Sequence, residues 1–306
     1  MTRRPLLASF ASLLLPGLGH IYCGQVGRGA LLILSLGLPL PSFAWLALHG
    51  PRAALLWLVV AGVLFTLAIY AYAVVDAYRL AARRKEGFSP SAWNRPVVYL
   101  AIFLFGHLVV LGPATRATKA NLIETFKVPS ASMLPTILAG DCFFADKRVG
   151  QRGGVKLRRG DIAVFVYPND RTTMYVKRVV GLPGDKIEIE STRVTVNGAA
   201  LTHEEVHDLG DPALNRLLED HVAFREIGDG TSYRVLWRKG DGHATLSLTV
   251  PNGQVFVLGD NRDESRDSRQ FGPLPIADVT GLARQVWFSA DQHQGIRLCR
   301  TGLLLD

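Results

Sequence analysis

The chain has 306 residues, of which 48% are hydrophobic, with a mean hydropathy of +0.19 and a formal net charge of +8. This length exceeds what one compact domain usually needs, and this hydropathy is high for a soluble protein. The apolar residues are concentrated in the first third of the chain. We therefore expect a membrane part followed by a water-facing part. Many arginines and lysines flank the apolar stretches, as charge that sets membrane topology does, so a nucleic-acid partner is not expected.

Residues 1–118 form the predicted membrane domain, with about three transmembrane helices and a short apolar N-terminal segment. The runs 30–48, 53–75 and 96–112 carry no charged residue. Each is close to the roughly 20 residues that a helix needs to cross the hydrocarbon core. Prolines 39 and 41 predict a kink in the first of these helices, because proline is tolerated in membrane helices.

The short apolar segment 6–15 follows two arginines, as in a cleaved signal peptide. No site with small residues at the spacing of a signal-peptide cut follows it, and further apolar runs come soon after. We therefore expect an interfacial or re-entrant helix.

The basic residues also predict an orientation for the helices. The loop 79–95 carries five lysines or arginines, whereas the loop 49–52 carries one arginine. The positive-inside rule then puts the first of these loops and the N-terminus in the cytoplasm. Everything after residue 112 is expected on the outer, extracytoplasmic side of the membrane.

Residues 119–306 are predicted to form a mainly-β extracytoplasmic domain with an inserted β subdomain at about 191–250. Runs rich in strand-forming residues occur at 141–145, 161–167 and 174–180. The pair Asn197-Gly198 between two short strand-like runs is a strong hairpin signal.

Two serines mark the first candidate site in this domain. Ser130 and Ser132 lie between Pro129 and Pro135, and the prolines disfavour a helix there. In an extended segment, residues two apart point to the same side. One serine can then act as a nucleophile while the other donates a hydrogen bond. The alternative is an ordinary turn rich in serine and proline.

Lys177 interrupts a run of strand formers, with Arg178 on the opposite face by strand alternation. Such a lysine lies either at a solvent-facing edge or in a partly desolvated position. Desolvation lowers the pKa of a lysine and leaves a neutral amine that can accept a proton.

The segment 259–269 is dense in charge, with aspartates at 260, 263 and 267 and arginines at 262, 266 and 269. We expect these residues to pair with one another, which would hold the loop rigid and place Ser265 beside a site. Calcium binding is the alternative, and three arginines argue against it. No metal and no cofactor are expected.

His203 and His207 match the H-E-x-x-H pattern of zinc proteases, which requires both histidines on one helix face. The segment directly follows a hairpin strand, and Gly210 and Pro212 would end any helix early. A chance match in a loop is therefore expected, with a zinc protease as a lesser alternative. Cys142 and Cys299 can either form a disulfide or remain two free thiols, and the sequence does not decide between them.

Four segments now stand in order: 129–136, 159–165, 175–185 and 259–269. Together they resemble bacterial type I signal peptidase, the membrane-bound Ser/Lys protease of the leader peptidase family, S26. The similarity covers roughly residues 120–300 and implies the β fold of that family.

The resemblance implies a role for each matching residue. Ser132 is the expected nucleophile and Lys177 the expected general base. Ser130 and the backbone N–H of Ser132 are expected to form the oxyanion hole, and Ser265 to orient the lysine amine. Three residues are expected to support the site: Arg178, Asp267 and Arg269. Three others are expected to line the substrate subsites: Phe126, Val128 and Val176.

The implied activity is cleavage of N-terminal signal peptides from exported preproteins, with small residues preferred at the first and third positions before the cut. The implied location is the bacterial inner membrane, multi-pass, with the catalytic domain on the periplasmic side. The implied partners are preprotein signal peptides, the lipid bilayer and the secretion machinery. Three spans depart from the one or two of familiar members, which leaves the substrate set open. An inactive membrane scaffold of the same fold is the main alternative.

Overall fold

A computed structural model of the chain describes residues 4–83, 92–149, 154–228, 230–240, 245–291 and 295–305. The chain divides into two compact units, Met1–Ile123 and Glu124–Asp306. The first unit is helical, and the second is built mainly from antiparallel strands.

The helices of the first unit follow one another with short connections. They are α1 (Pro5–Leu14), α2 (Leu18–Tyr22), α3 (Val26–Ser35), α4 (Pro39–His49), α5 (Leu55–Arg83), α6 (Pro96–Phe105) and α7 (Gly112–Asn121), with a π-helical turn at Gly106–Leu111. Among the residues that the structure describes, three helical stretches are long and apolar enough to cross a membrane, judged by length and composition: Val26–His49, Arg52–Arg83 and Pro96–Asn121.

Two of these stretches differ in detail from the apolar runs of the sequence. Residues 36–38 interrupt the first stretch, and Pro39 then begins α4, where its missing N–H costs no helical hydrogen bond. The third stretch continues to Asn121, beyond the predicted end at residue 112. Fewer residues therefore separate this helix from Ser132 than the apolar run implies.

Large apolar side chains on these helices point outward, including Leu31, Trp57 and Val97, which are 70%, 71% and 76% exposed. Ala73 and Ala77 on α5 are fully buried, and a cluster with Leu15 and Ile33 is buried as well. Exposure of this many large apolar side chains is unusual for a soluble helical bundle, in which the outer face is polar.

The second unit contains nearly all of the strands. They are β1 (Ile123–Lys127), β2 (Asp141–Asp146), β3 (Ile162–Val166), β4 (Met174–Gly181), β5 (Lys186–Glu190), β6 (Arg193–Val196), β7 (Ala199–Ala200), β8 (Thr202–Val206), β9 (His221–Gly228), β10 (Thr231–Arg238), β11 (Leu246–Thr249), β12 (Gln254–Leu258), β13 (Leu274–Pro275), β14 (Val279–Asp291) and β15 (Gly295–Ile296). The described part of this unit also contains the short α-helices α8 (Pro212–Asn215) and α9 (Ser268–Phe271). The main sheet has the order β1-β2-β14-β3-β4-β12-β13, and β15 pairs with β14.

The main sheet is covered by apolar side chains on both faces. On β3, Ile162 and Val164 belong to one buried cluster, whereas Ala163 and Phe165 belong to another. Alternating side chains of a strand point to opposite faces, so burial on both sides accounts for the uninterrupted apolar run in the sequence.

Two smaller sheets follow β4, with the orders β11-β5-β6-β7 and β10-β9-β8. Their strands overlap the range 191–250 of the predicted insertion, and the first of the two sheets also includes Lys186–Glu190, which precedes that range. The hairpin turn at Asn197-Gly198 is present, with φ of 53° and 81° at its two residues. Trp237 of β10 and Phe256 of β12 share one buried cluster, so the insertion and the main sheet have a common core.

Candidate active site

Ser132 lies in the connection between β1 and β2 and is 9% exposed. Backbone hydrogen bonds close this connection at its base, from Val128 N to Asp141 O (2.9 Å) and from Gly140 N to Val128 O (2.8 Å). Met133, next to the serine, is buried in the core beneath it. The peptide bond between Leu134 and Pro135 is cis. The backbone around Ser132 is thus held from both ends and from below.

Lys177 lies on β4, which is flanked by β3 and β12, and the residue is only 4% exposed. The alternative of a solvent-facing edge lysine is therefore wrong. Its Nζ donates hydrogen bonds to Ser132 Oγ (2.6 Å) and to the carbonyl oxygen of Val176 (3.0 Å). Burial lowers the pKa of Lys177 from its usual 10.5 to about 8, although the charges of Asp267 and Asp260 oppose the shift.

Ser130 lies on the same side of the segment as Ser132, as the spacing of two residues predicts. The two hydroxyl oxygens are 3.2 Å apart. Ser130 is exposed, whereas Ser132 is nearly buried. The Ser130 hydroxyl therefore lies on the solvent-exposed side of the Ser132 hydroxyl, where it can donate a hydrogen bond.

Ser265 is close to this centre but does not contact the lysine amine in the expected way. Its Oγ is buried and has no hydrogen-bond partner in the part of the chain that the structure describes. The amine of Lys177 donates instead to Ser132 Oγ and to the Val176 carbonyl. The expected hydrogen bond between Ser265 and Lys177 is thus not formed in this structure.

The expected pairing within the loop 259–269 is only partly present. Asp267 and Arg269 do pair, with 2.9 Å between Asp267 Oδ1 and Arg269 Nε, and the aspartate also caps α9 by accepting from Arg269 N. Arg269 in addition donates to the carbonyl oxygen of Arg262. This pair holds the end of the loop against its middle.

The other two buried charges of the loop pair outside it, which corrects the expectation of a self-contained network. Asp260 accepts two hydrogen bonds from Arg178, at 2.8 and 2.7 Å, and Arg262 pairs with Glu226 at 2.6 Å. These partners lie on β4 and β9, far from the loop in sequence. The sequence pattern of the loop therefore could not predict them.

Two residues of the loop that sequence reasoning did not single out are Gly259 and Asn261, and Asp260 has contacts that it did not predict. Asn261 donates from its backbone N to Ser132 O (3.2 Å) and from Nδ2 to Ala131 O (3.3 Å). Asp260 Oδ2 accepts from Thr136 Oγ1 at 2.5 Å. A Gly-Asp-Asn run directly after a buried strand was the available signal, because such residues favour turns with side-chain-to-backbone bonds.

An open cavity of about 350 Å³ adjoins the two serines and the lysine. Its wall includes the three expected lining residues, Phe126, Val128 and Val176. Val128 is buried, and Phe126 stacks on Phe143 with ring centroids 6.0 Å apart. The cavity therefore has apolar walls on the side of β1 and β4 and polar groups at the Ser132 side.

The histidine pattern and the cysteines lie outside this centre. His203 and His207 belong to β8 and the residue after it, so the helix that a zinc-protease motif requires is not formed. The described residues include no group of three or more side chains that could hold a metal ion. Cys142 and Cys299 are free thiols.

In this mainly antiparallel β unit a nearly buried serine hydroxyl is hydrogen-bonded to a buried amine, which is an arrangement that serine peptidases use to activate their nucleophile. The model of the family described as "Signal peptidase, peptidase S26" matches residues 99–288, which is more than half of the chain. The chain therefore belongs to the signal peptidase family, peptidase S26, and is a serine peptidase that cleaves signal peptides. The predicted resemblance to bacterial type I signal peptidase is confirmed.

Curated relatives agree with the family match. Signal peptidase I of Buchnera aphidicola subsp. Acyrthosiphon pisum (strain APS) is 27% identical over 274 residues, which cover 72% of this chain and 83% of that protein. Signal peptidase I of Pseudomonas fluorescens is 34% identical over 198 residues, covering 56% of this chain and 66% of that protein. Signal peptidase I of Rickettsia typhi (strain ATCC VR-144 / Wilmington) is 34% identical over 197 residues, covering 55% and 73%.

Proposed function

We propose that this chain is a membrane-bound endopeptidase that uses Ser132 as nucleophile and Lys177 as general base to cut signal peptides from exported preproteins. The observation that carries the proposal is the 2.6 Å contact between Lys177 Nζ and Ser132 Oγ, formed by a lysine that is only 4% exposed. A buried amine with a pKa of about 8 is neutral in an appreciable fraction of molecules near neutral pH.

In the first step, the neutral amine takes the proton of the Ser132 hydroxyl while Oγ attacks the carbonyl carbon of the scissile bond. The negative charge then develops on the carbonyl oxygen. The Ser132 backbone N–H and the Ser130 hydroxyl donate hydrogen bonds to it. One such donor is worth about 3–4 kcal/mol in the transition state.

In the second step, the ammonium group of Lys177 gives its proton to the leaving nitrogen, and the C–N bond breaks. This leaves an ester between the signal peptide and Ser132. The amine, neutral again, takes a proton from water while the water oxygen attacks the ester carbon. Return of that proton to Oγ regenerates the serine. Ser265, whose Oγ is buried and unbonded here, is proposed to orient the amine once substrate has moved it.

Substrate preference is proposed to come from the apolar wall of the cavity beside Ser132. Phe126, Val128 and Val176 limit the space available to the first and third residues before the cut. Val128 belongs to the buried core, so the wall does not yield easily to a large side chain. Small residues at these two positions are therefore preferred. Arg178, Asp267 and Arg269 support the site by holding the loop 259–269.

The helical unit is proposed to anchor the enzyme as a multi-pass protein in the bacterial inner membrane. Three stretches of sufficient length and the outward-facing apolar side chains support this assignment. The basic residues of 79–95 support the proposal that the peptidase unit lies on the periplasmic side, because such residues favour the cytoplasmic side of a membrane. Lipid and the secretion machinery, which delivers preproteins there, are the proposed partners.

The assay is cleavage of a preprotein by the purified full-length enzyme in detergent, with and without a metal chelator. Ser132→Ala and Lys177→Ala should abolish cleavage, and Ser130→Ala should slow it by about 10²- to 10³-fold. Ser247→Ala and Lys156→Ala change exposed residues of the same unit and serve as controls that should retain activity.

Cleavage that needs both Ser132 and Lys177 and survives chelator supports the proposal. Cleavage lost with chelator would favour a metal-dependent enzyme, and an inactive wild type would favour a scaffold of the same fold. Reaction of a lipid-soluble label with the helical unit in vesicles, and protease access to the peptidase unit from one side only, test the anchoring.

A further inference from the structure

The inserted subdomain is bonded directly to the loop that carries Asp260, Asn261 and Arg262. Leu236 on β10 forms an isolated parallel bridge with Asn261. Leu236 N donates to Asp260 O at 2.8 Å, and Arg262 N donates to Leu236 O at 2.8 Å. Residues 260–262 thus pair with β10 through their backbone, as an adjacent strand of a sheet would. These hydrogen bonds fix the backbone of the loop to the insertion.

A fully buried ion pair joins the same two parts of the molecule. Glu226 on β9 and Arg262 in the loop are both 0% exposed in their side chains, with 2.6 Å between Oε2 and Nη2. Arg262 Nε donates in turn to the carbonyl oxygen of Gly259 at 3.1 Å. The guanidinium group also lies 5.4 Å from the centre of the Trp237 ring. Glu226 therefore holds Arg262, and Arg262 holds the start of the loop.

A second buried arginine is held by the insertion from the other side. Arg178, the neighbour of Lys177 on β4, lies with its Cζ 4.0 Å from the centre of the Tyr233 ring on β10. Its guanidinium group bonds to Asp260 in the loop and to the carbonyl oxygen of Gly160 (2.7 Å). The insertion thus contacts both the loop and the strand that carries the proposed base.

The loop in turn reaches the proposed nucleophile through its backbone. Asn261 donates to Ser132 O at 3.2 Å, and Asp260 accepts from Thr136 at 2.5 Å. A path of direct contacts therefore runs from Glu226 through Arg262 and the loop to Ser132.

We propose that Glu226 is a positioning residue for the Ser132–Lys177 centre, acting through Arg262 and the loop 259–262. On this view the inserted subdomain is part of the machinery of cleavage. A gain in stability does not by itself explain the buried Glu226–Arg262 pair, because replacing a buried ion pair by apolar residues is often neutral or stabilising. What the pair supplies is a fixed loop geometry, and displacement of reacting groups by about 1 Å can cost about 10²-fold in rate. The inference rests on Ser132 and Lys177 acting as proposed above.

The test is Glu226→Gln, which keeps the shape of the side chain but removes the charge that Arg262 faces. We expect kcat for a preprotein to fall by about 10- to 100-fold while KM stays within about twofold, because substrate contacts are unchanged. Glu226→Asp keeps the charge and should recover a large part of kcat. The control is Glu204→Gln on β8 of the same sheet, where the pair with Arg225 is exposed, and kcat should not change.

A second variant keeps the test valid if Glu226→Gln does not fold. Glu226→Gln combined with Arg262→Gln removes both buried charges, so no unpaired ion remains and the fold should recover. Its thermal midpoint should approach that of the wild type while kcat stays low. Recovery of both stability and kcat would overturn the inference, as would a folded Glu226→Gln variant with kcat within about twofold of the wild type. An inactive wild type, or an active Ser132→Ala variant, would instead overturn the proposed function.

Discussion

Gly259 packs so closely on Ser265 that a Cβ atom at the glycine would lie 2.1 Å from the serine Oγ and 2.4 Å from its Cβ. The same added atom would lie 2.6 Å from the carbonyl oxygen of Ser132. Real Cβ atoms do not approach other atoms this closely, and one of the neighbours here is backbone. The absence of a side chain at Gly259 is therefore what allows the loop 259–269 to lie against Ser132.

Gly259→Ala should sharply reduce cleavage, because either Ser265 or the backbone of Ser132 must move. Overpacking of this kind costs about 1–3 kcal/mol of stability, and the displaced backbone should lower kcat/KM by about 10²-fold. Gly27→Ala is the control, since a Cβ there meets nothing within 4 Å. Measured activity of Gly259→Ala close to that of the wild type would contradict the tight packing.

The pH dependence of cleavage should report the state of Lys177. Its pKa is lowered to about 8 by burial, so the neutral amine becomes the major form only as the pH rises through that value. We expect kcat/KM to fall about tenfold per pH unit below this point and to level off above it. Initial rates measured between pH 6 and pH 10 check the prediction, and an acid limb near the ordinary lysine value of about 10.5 would contradict it.

Asp267→Asn tests whether the charge of Asp267 affects the pKa of Lys177. The charge of Asp267 raises the pKa of Lys177 and partly offsets burial. Removing that charge should move the acid limb of kcat/KM to lower pH, while the lost pairing with Arg269 lowers the plateau. An unmoved limb would mean that Asp267 does not act on the amine electrostatically. Asp278→Asn, which removes the charge that faces the 61% exposed side chain of Arg171, should leave the limb in place.

Local sequence patterns were sufficient to predict β2, β3 and β4, but they did not predict β1, which leads into the segment with the two serines. The alternation that separates Ile162 from Ala163 on β3, and the hairpin at Asn197-Gly198, depend on residues close together in the chain. The grouping of Ser130, Ser132 and Lys177 came from the order of four motifs, since 45 positions separate Ser132 from Lys177. Periodicity alone allowed an exposed lysine at position 177.

The partners of the buried charges were beyond such patterns. The spacing of acids and arginines in 259–269 suggested pairing within the loop, but Asp260 bonds to Arg178, 82 positions away. Arg262 likewise bonds to Glu226, 36 positions away, on a strand of the insertion. Oppositely charged residues within the loop could have paired equally well by charge alone. The observed pairs depend on β4 and β9, which bring Arg178 and Glu226 to the loop.

Val176→Ala should relax the selection for small residues before the cut. Val176 lines the cavity beside Ser132, and shortening it adds space where a larger substrate side chain would enter. One or two methyl groups of space change discrimination by about 10- to 100-fold, so a substrate with leucine at the first or third position before the cut should gain that much in kcat/KM. Ile227→Ala removes an exposed apolar side chain elsewhere and should leave the ratio between substrates unchanged.

Asp260→Ala should be one of the most destabilising single changes in the peptidase unit. Arg178 has a fully buried side chain, and Asp260 is its bidentate partner and is itself only 1% exposed. Removing the carboxylate leaves a buried positive charge without compensation, which costs about 3–5 kcal/mol. Denaturant unfolding of the full-length protein in detergent, followed by tryptophan fluorescence, measures the loss. Asp278→Ala removes the carboxylate from the pair in which Arg171 is 61% exposed, and the midpoint should hardly move. Equal losses for the two variants would show that burial of the Arg178 pair does not matter to the fold.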